Sequence, residues 1–179
     1  MSTLIALLRG INVVGNNKLP MKELAALLTE MGLRDVQTYI QSGNVVFHTN
    51  AKNKTALAAK ISAAIEAQHG FAPQVLLLDA EELREAMAGN PYPEAESVPR
   101  TLHLFFLADA PQHPDLEALE ALRTASERFM LAGKVFYLHA PEGFGRSGLA
   151  ANAERLLGVA TTGRNWNTVC KLAEMVARE

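Results

Sequence analysis

The feature that most limits how this 179-residue chain can fold is a succession of hydrophobic patterns that the sequence runs through twice. Residues 3–8 form a short apolar run without alternation, as expected of a strand covered on both faces. A loop rich in Gly and Asn spans residues 9–19, and Pro20 then suits the first turn of a helix, where its missing N–H costs nothing. Leu24, Leu27, Leu28 and Met31 give that helix its apolar stripe, and Gly32 ends it. Val36, Thr38 and Ile40 alternate with Gln37, Tyr39 and Gln41, which predicts a strand with one wet or functional face. Ser42-Gly43-Asn44 reads as the turn into a strand at 45–48. An Ala-rich helix at 55–69, closed by Gly70, and a strand at 73–78 follow. That order, β-α-β-β-α-β, is the split βαβ or ferredoxin-like unit, and a further helix at 80–88 trails it.

The second half repeats the plan. Its predicted elements are a strand at 101–107, a helix at 115–124, a hairpin of 128–131 and 134–139 across Ala132-Gly133, a helix at 148–157, a short strand at 159–161 and a last helix at 165–177. The expectation is an α+β protein of two ferredoxin-like halves related by pseudo-duplication, residues 1–89 and 90–179. The join falls in 89–99, which holds Pro91, Pro93 and Pro99.

A formal net charge of -2 argues against a basic footprint over the whole protein, so any nucleic-acid contact needs a local patch. Cys170 is the only cysteine, which rules out an intrachain disulfide and a thiolate cluster. Histidines 48, 69, 103, 113 and 139 show no ligand spacing, so neither a metal nor a cofactor is expected. Leu4 to Leu8 is too short for a signal-peptide core, and no stretch approaches the ~18–20 apolar residues of a membrane span. The expected location is cytoplasmic, without a membrane partner.

Polar segments interrupt the apolar pattern where strands end or helices begin. Lys18, Arg146 and Arg164 each precede a predicted helix start. A helix N-terminus is partially positive, so a cation there is unfavourable by about 0.3–1 kcal/mol, the mirror of what an anion gains. Three such placements point to a visiting anion, with phosphate held by free N–H groups and an arginine fork as the usual solution. The competing explanation is that all three side chains point into water. Asn165 reads as an N-cap, and Trp166 begins a core face continued by Val169, Cys170 and Ala173. Glycines in 142–148 would let backbone N–H groups curl around an oxyanion, although Ser147 as an N-cap after a turn accounts for most of that loop. Asn12 lies at the end of the first strand, where an Asx turn would equally explain it.

The candidate site therefore comprises the cations Arg9, Lys18, Arg146 and Arg164, with Asn12, Gln41, Ser42, Asn44, Asn165 and Asn167 as directional partners. Its expected ligand is a phosphate-bearing small molecule, nucleotide or nucleic acid. The alternative is an enzyme acting on a small phosphorylated or nucleotide-like substrate, with His139 and nearby Glu142 as an acid/base pair. The RNP1 pattern of RNA-recognition domains is absent.

The segments Leu8-Arg9-Gly10-Ile11-Asn12-Val13, Thr38-Tyr39-Ile40-Gln41-Ser42-Gly43-Asn44-Val45 and Thr162-Gly163-Arg164-Asn165-Trp166-Asn167-Thr168-Val169 closely resemble signatures of the DUF1697 family, a bacterial family without an established function. The resemblance extends over essentially the full length, taking in Lys18-Leu19-Pro20-Met21, Asn90-Pro91 and the 143–147 loop. It implies two α+β halves and transfers no chemistry. Val14 departs from it, since the family commonly has glycine there. A stiffer loop at that point works against close backbone approach of a ligand.

Overall fold

A computed structural model of the chain describes residues 1–178; Glu179, the last residue of the expected second half, lies outside them. In chain order the elements are β1 (Ser2–Arg9), α1 (Met21–Glu30), β2 (Arg34–Tyr39), β3 (Asn44–Thr49), α2 (Lys54–His69), β4 (Gln74–Asp79) and α3 (Ala80–Ala88). There follow β5 (Leu102–Leu107), α4 (Leu116–Leu122), β6 (Arg128–Ala132), β7 (Val135–His139), α5 (Gly148–Leu157), β8 (Thr161–Asn165) and α6 (Trp166–Ala177). Two four-stranded sheets result, ordered β2-β3-β1-β4 and β6-β7-β5-β8, with every neighbouring pair antiparallel. Each is the ferredoxin-like arrangement, and each is followed by one further helix, α3 in the first half and α6 in the second. Two compact units form: Met1–Arg84 together with the chain from Leu172 on, and Glu85–Lys171.

In the first unit, Leu4, Ala6 and Leu8 of β1 pack with Val45, Phe47 and Leu77 against Leu24, Leu27 and Leu28 of α1 and Leu57, Ile61 and Ile65 of α2. The other face of β1, Ile5 and Leu7, is fully buried as well, which is why this strand lacks alternation. Full burial of each of these leucines and isoleucines contributes about 1.5–3 kcal/mol. The second unit repeats the logic with Phe105, Leu107, Phe136 and Leu138 against Leu119 of α4 and Leu149, Ala153, Leu156 and Leu157 of α5.

Side chains fix the starts of α2, α3, α5 and α6. Asn53 accepts from the Ala56 N–H at 2.9 Å to open α2. Asp79 and Glu82 each donate a backbone N–H to the other's carboxylate at 2.9 Å, so α3 begins directly where β4 ends. Ser147 and Asn165 cap α5 and α6, as their sequence positions imply.

Three elements differ from the sequence expectation by more than one residue. β2 spans Arg34–Tyr39 rather than 36–41, because its register shifts between Arg34 and Gln37 and Ile40 turns away with φ of 47°. α4 stops at Leu122 rather than 124, where Arg123 takes an extended conformation. β8 covers Thr161–Asn165 instead of 159–161, so Arg164 lies within a strand and does not sit in a loop before α6. Its polar sequence carries no strand signal. The ladder with β5 supplies the strand, pairing Thr162 with Phe106, Gly163 with Phe105 and Arg164 with Leu104. Gly163 lies close under the Phe105 ring, where a Cβ would stand 3.1 Å from it, a tight contact.

Candidate functional site

One end of the first sheet is built around Asn12. Its Nδ2 donates to the carbonyls of Leu19 at 2.9 Å and Gln41 at 2.8 Å, and its Oδ1 accepts from the Leu19 N–H at 2.8 Å. Asn17 closes the same loop by donating from Nδ2 to the Gly10 carbonyl at 3.0 Å. The Leu8 N–H donates to the Gly43 carbonyl at 2.8 Å, drawing the β2–β3 turn onto the end of β1. Gly43 has φ of 86°, and a Cβ there would lie 2.7 Å from Leu8 Cβ and 2.8 Å from Ile11 Cδ1. Asn44 is buried, donating from Nδ2 to the Tyr39 carbonyl and to Ser42 Oγ, both at 3.0 Å. Asn12 and Asn44 thus hold two loops together and spend their amide donors doing so.

These bonds bring Arg9, Lys18, Gln41 and Ser42 to one end of the unit, all exposed. From Arg9 to Lys22 the chain carries Arg9, Lys18 and Lys22 and no acid, and residues 36–47 carry no charge. The first acid after them, Glu23, lies 3.6 Å from His69. Exposed Val13, Val14 and Ile40 rise from the same loops.

The other candidates lie in the second unit. Arg146 is exposed on the turn before α5, and Asn167 is exposed in the first turn of α6. Asn165 Oδ1 accepts from the Thr168 N–H at 3.0 Å as the α6 cap. Arg164 is only 8% exposed, donates from Nη1 to the Gly163 carbonyl at 2.8 Å, and burial pushes its pKa down to about 10. It is a buried cation of the β8 ladder and does not stand free before a helix.

The helix openings also have acids of their own. Glu23 occupies the first turn of α1. Ser147, the α5 cap, donates to the buried carboxylate of Glu127 at 2.5 Å, while Glu127 also accepts from the Thr124 N–H at 3.0 Å. Nothing in the sequence singles out Glu127, because a Ser-Glu-Arg run reads as surface. Its burial depends on the turn that folds over it.

His139 and Glu142 do not form a pair. His139 Nδ1 accepts from Arg128 Nη2 at 2.9 Å, and Glu142 accepts from Ser126 Oγ at 3.0 Å. Burial, then the charge of Arg128, holds the His139 pKa below its ordinary value, which keeps the ring neutral as an acceptor. Arg128 also pairs with Glu94 and lies 4.3 Å from the Tyr92 ring centroid.

Two consecutive ferredoxin-like halves, each with a trailing helix, define the class: a small α+β protein built by internal repetition. The chain belongs to the family described as protein of unknown function (DUF1697), whose model matches residues 1–137. It is similar to the conserved bacterial protein SP0830 from Streptococcus pneumoniae, with 26% identity and a TM-score of 0.70, covering 98% of each chain. No curated protein matches the sequence. Among the described residues, no helix is long and apolar enough to cross a membrane.

Proposed function

We propose that the chain binds an anionic, phosphate-bearing ligand, a nucleotide or nucleic acid, through the loop end of its first sheet. The observation that supports this reading is the Asn12 and Asn17 hydrogen-bond set. It fixes the backbone beside Arg9 and Lys18, so two cations stand on a rigid frame next to the exposed amide of Gln41 and hydroxyl of Ser42. A backbone fixed in this way loses little freedom on binding, and the stretch from Arg9 to Lys22 carries three cations and no acid. Contact at this end runs through loops, charge and hydrogen bonds.

Fluorescence polarisation with a labelled single-stranded oligonucleotide tests the reading on the native chain. Affinity is expected to fall steeply with salt, and Arg9→Ala with Lys18→Ala to weaken binding about tenfold or more and lower the salt slope by about 2. Absent binding at low salt, or full affinity in the double variant, would overturn the assignment. Loss on Arg146→Ala alone would move the contact to the second unit.

A further inference from the structure

The second unit holds a cavity of about 270 Å³ lined by Tyr92, Glu120, Arg123, Glu127, Arg128 and Phe129. Its two guanidinium groups differ in what they have left to give. Arg123 is spent on the chain: Nε donates to Glu120 at 2.9 Å, and Nη1 to the carbonyls of Glu127 at 2.9 Å and Thr124 at 3.3 Å. Arg128 is held differently. Its Nη2 alone carries the bonds to Glu94 and to His139 Nδ1, and its plane is steadied by the Tyr92 ring. Nε and Nη1 donate to no described residue.

The acids at the same cavity are already committed. Both Glu127 oxygens accept from within the chain, and Glu120 is paired with Arg123. Among the charged groups lining the cavity, the unspent capacity is therefore mainly that of a donor. A guanidinium held on its face and at one nitrogen, with its other nitrogens open, is preorganised for an anion. Tyr92 and Phe129 add apolar wall of the kind that small-molecule sites use around a few placed polar groups.

We propose that this cavity binds a small ligand carrying a carboxylate or phosphate group, received by Nε and Nη1 of Arg128, with Tyr92 and Phe129 against its apolar part. His139 is the positioning residue: its Nδ1 fixes the guanidinium without touching the ligand. This site does not rest on the loop-end reading, and the two can fail separately.

The native protein tests it directly. Arginine side-chain N–H resonances are followed by NMR while acetate or inorganic phosphate replaces chloride at constant ionic strength. A saturating shift of the Arg128 Nε–H in the low-millimolar range is expected with at least one anion; acetate alone identifies a carboxylate ligand, phosphate alone a phosphate one. A linear, unsaturated response to both, or an equal response of Arg123, would overturn the proposal. His139→Phe is expected to weaken the saturating anion about tenfold. His139→Gln, whose amide oxygen can accept from Nη2, is expected to restore it, and equal weakening by both would remove His139 from its role. A folded Arg128→Lys variant with native affinity would sink the site.

Discussion

At the scale of single residues, Val14 shows where this chain strains its own backbone. It sits in the first loop with φ of 47° and 94% of its surface in solvent. A β-branched residue in the left-handed region costs about 1–2 kcal/mol. Glycine adopts that conformation freely. Val14→Gly is therefore expected to raise stability by about 0.5–1 kcal/mol in urea unfolding, part of the relief being offset by glycine's greater unfolded freedom. An unchanged or lower stability would mean that the valine side chain contributes contacts its exposure does not indicate. The departure was legible from the motif, whereas its conformational meaning was not, since φ is set by how the loop closes on Asn12 and Asn17.

At the scale of elements, the ends of strands and helices carry the information. Ser147 and Asn165 were readable as caps because a short polar side chain before an apolar helical face has one obvious use. Asn12 was readable only as a choice between ligand contact and loop support. Its three bonds, reaching residues seven and 29 positions away, favour support. Asn12→Ala is expected to cost about 2–3 kcal/mol, since it removes one acceptor and two donors and leaves the Leu19 and Gln41 groups to water. The same variant should give faster amide hydrogen exchange at Leu19 than at the strand interior of β1. A loss confined to a few tenths of a kcal/mol would show that the two loops hold without it. Two of the three helix openings preceded by a cation also have an acid of their own. Glu23 and Glu127 supply negative charge at α1 and α5 from within the chain, and Arg164 belongs to a strand.

At the scale of the whole molecule, stability should fall in mild acid in a way traceable to the second unit. His103 lies on β5, 9% exposed, with its ring stacked on Phe144 at 4.0 Å and no hydrogen-bond partner for Nδ1 among the described residues. Burial pushes its pKa from 6.5 down to about 4. The unfolded chain takes up the proton first, so stabilisation present above pH 6.5 is lost as pH falls toward 4, by about 3 kcal/mol in full. His139, depressed mainly by burial, acts in the same direction. Urea midpoints from pH 7 to 4 should fall, and His103→Phe, which can keep the stack on Phe144, should flatten that decline. An equal decline in both proteins would assign the acid sensitivity elsewhere. By itself the amino-acid order determined the repeated β-α-β-β-α-β plan, the core stripes and two helix caps, because periodicity and capping are local and survive in any surroundings. Tertiary structure alone decided that β8 continues through Arg164, that Glu127 is buried against Ser147, and that Arg128, His139 and Tyr92 converge. Pairing partners and burial arise between segments far apart in the chain, and no run of neighbouring residues encodes them.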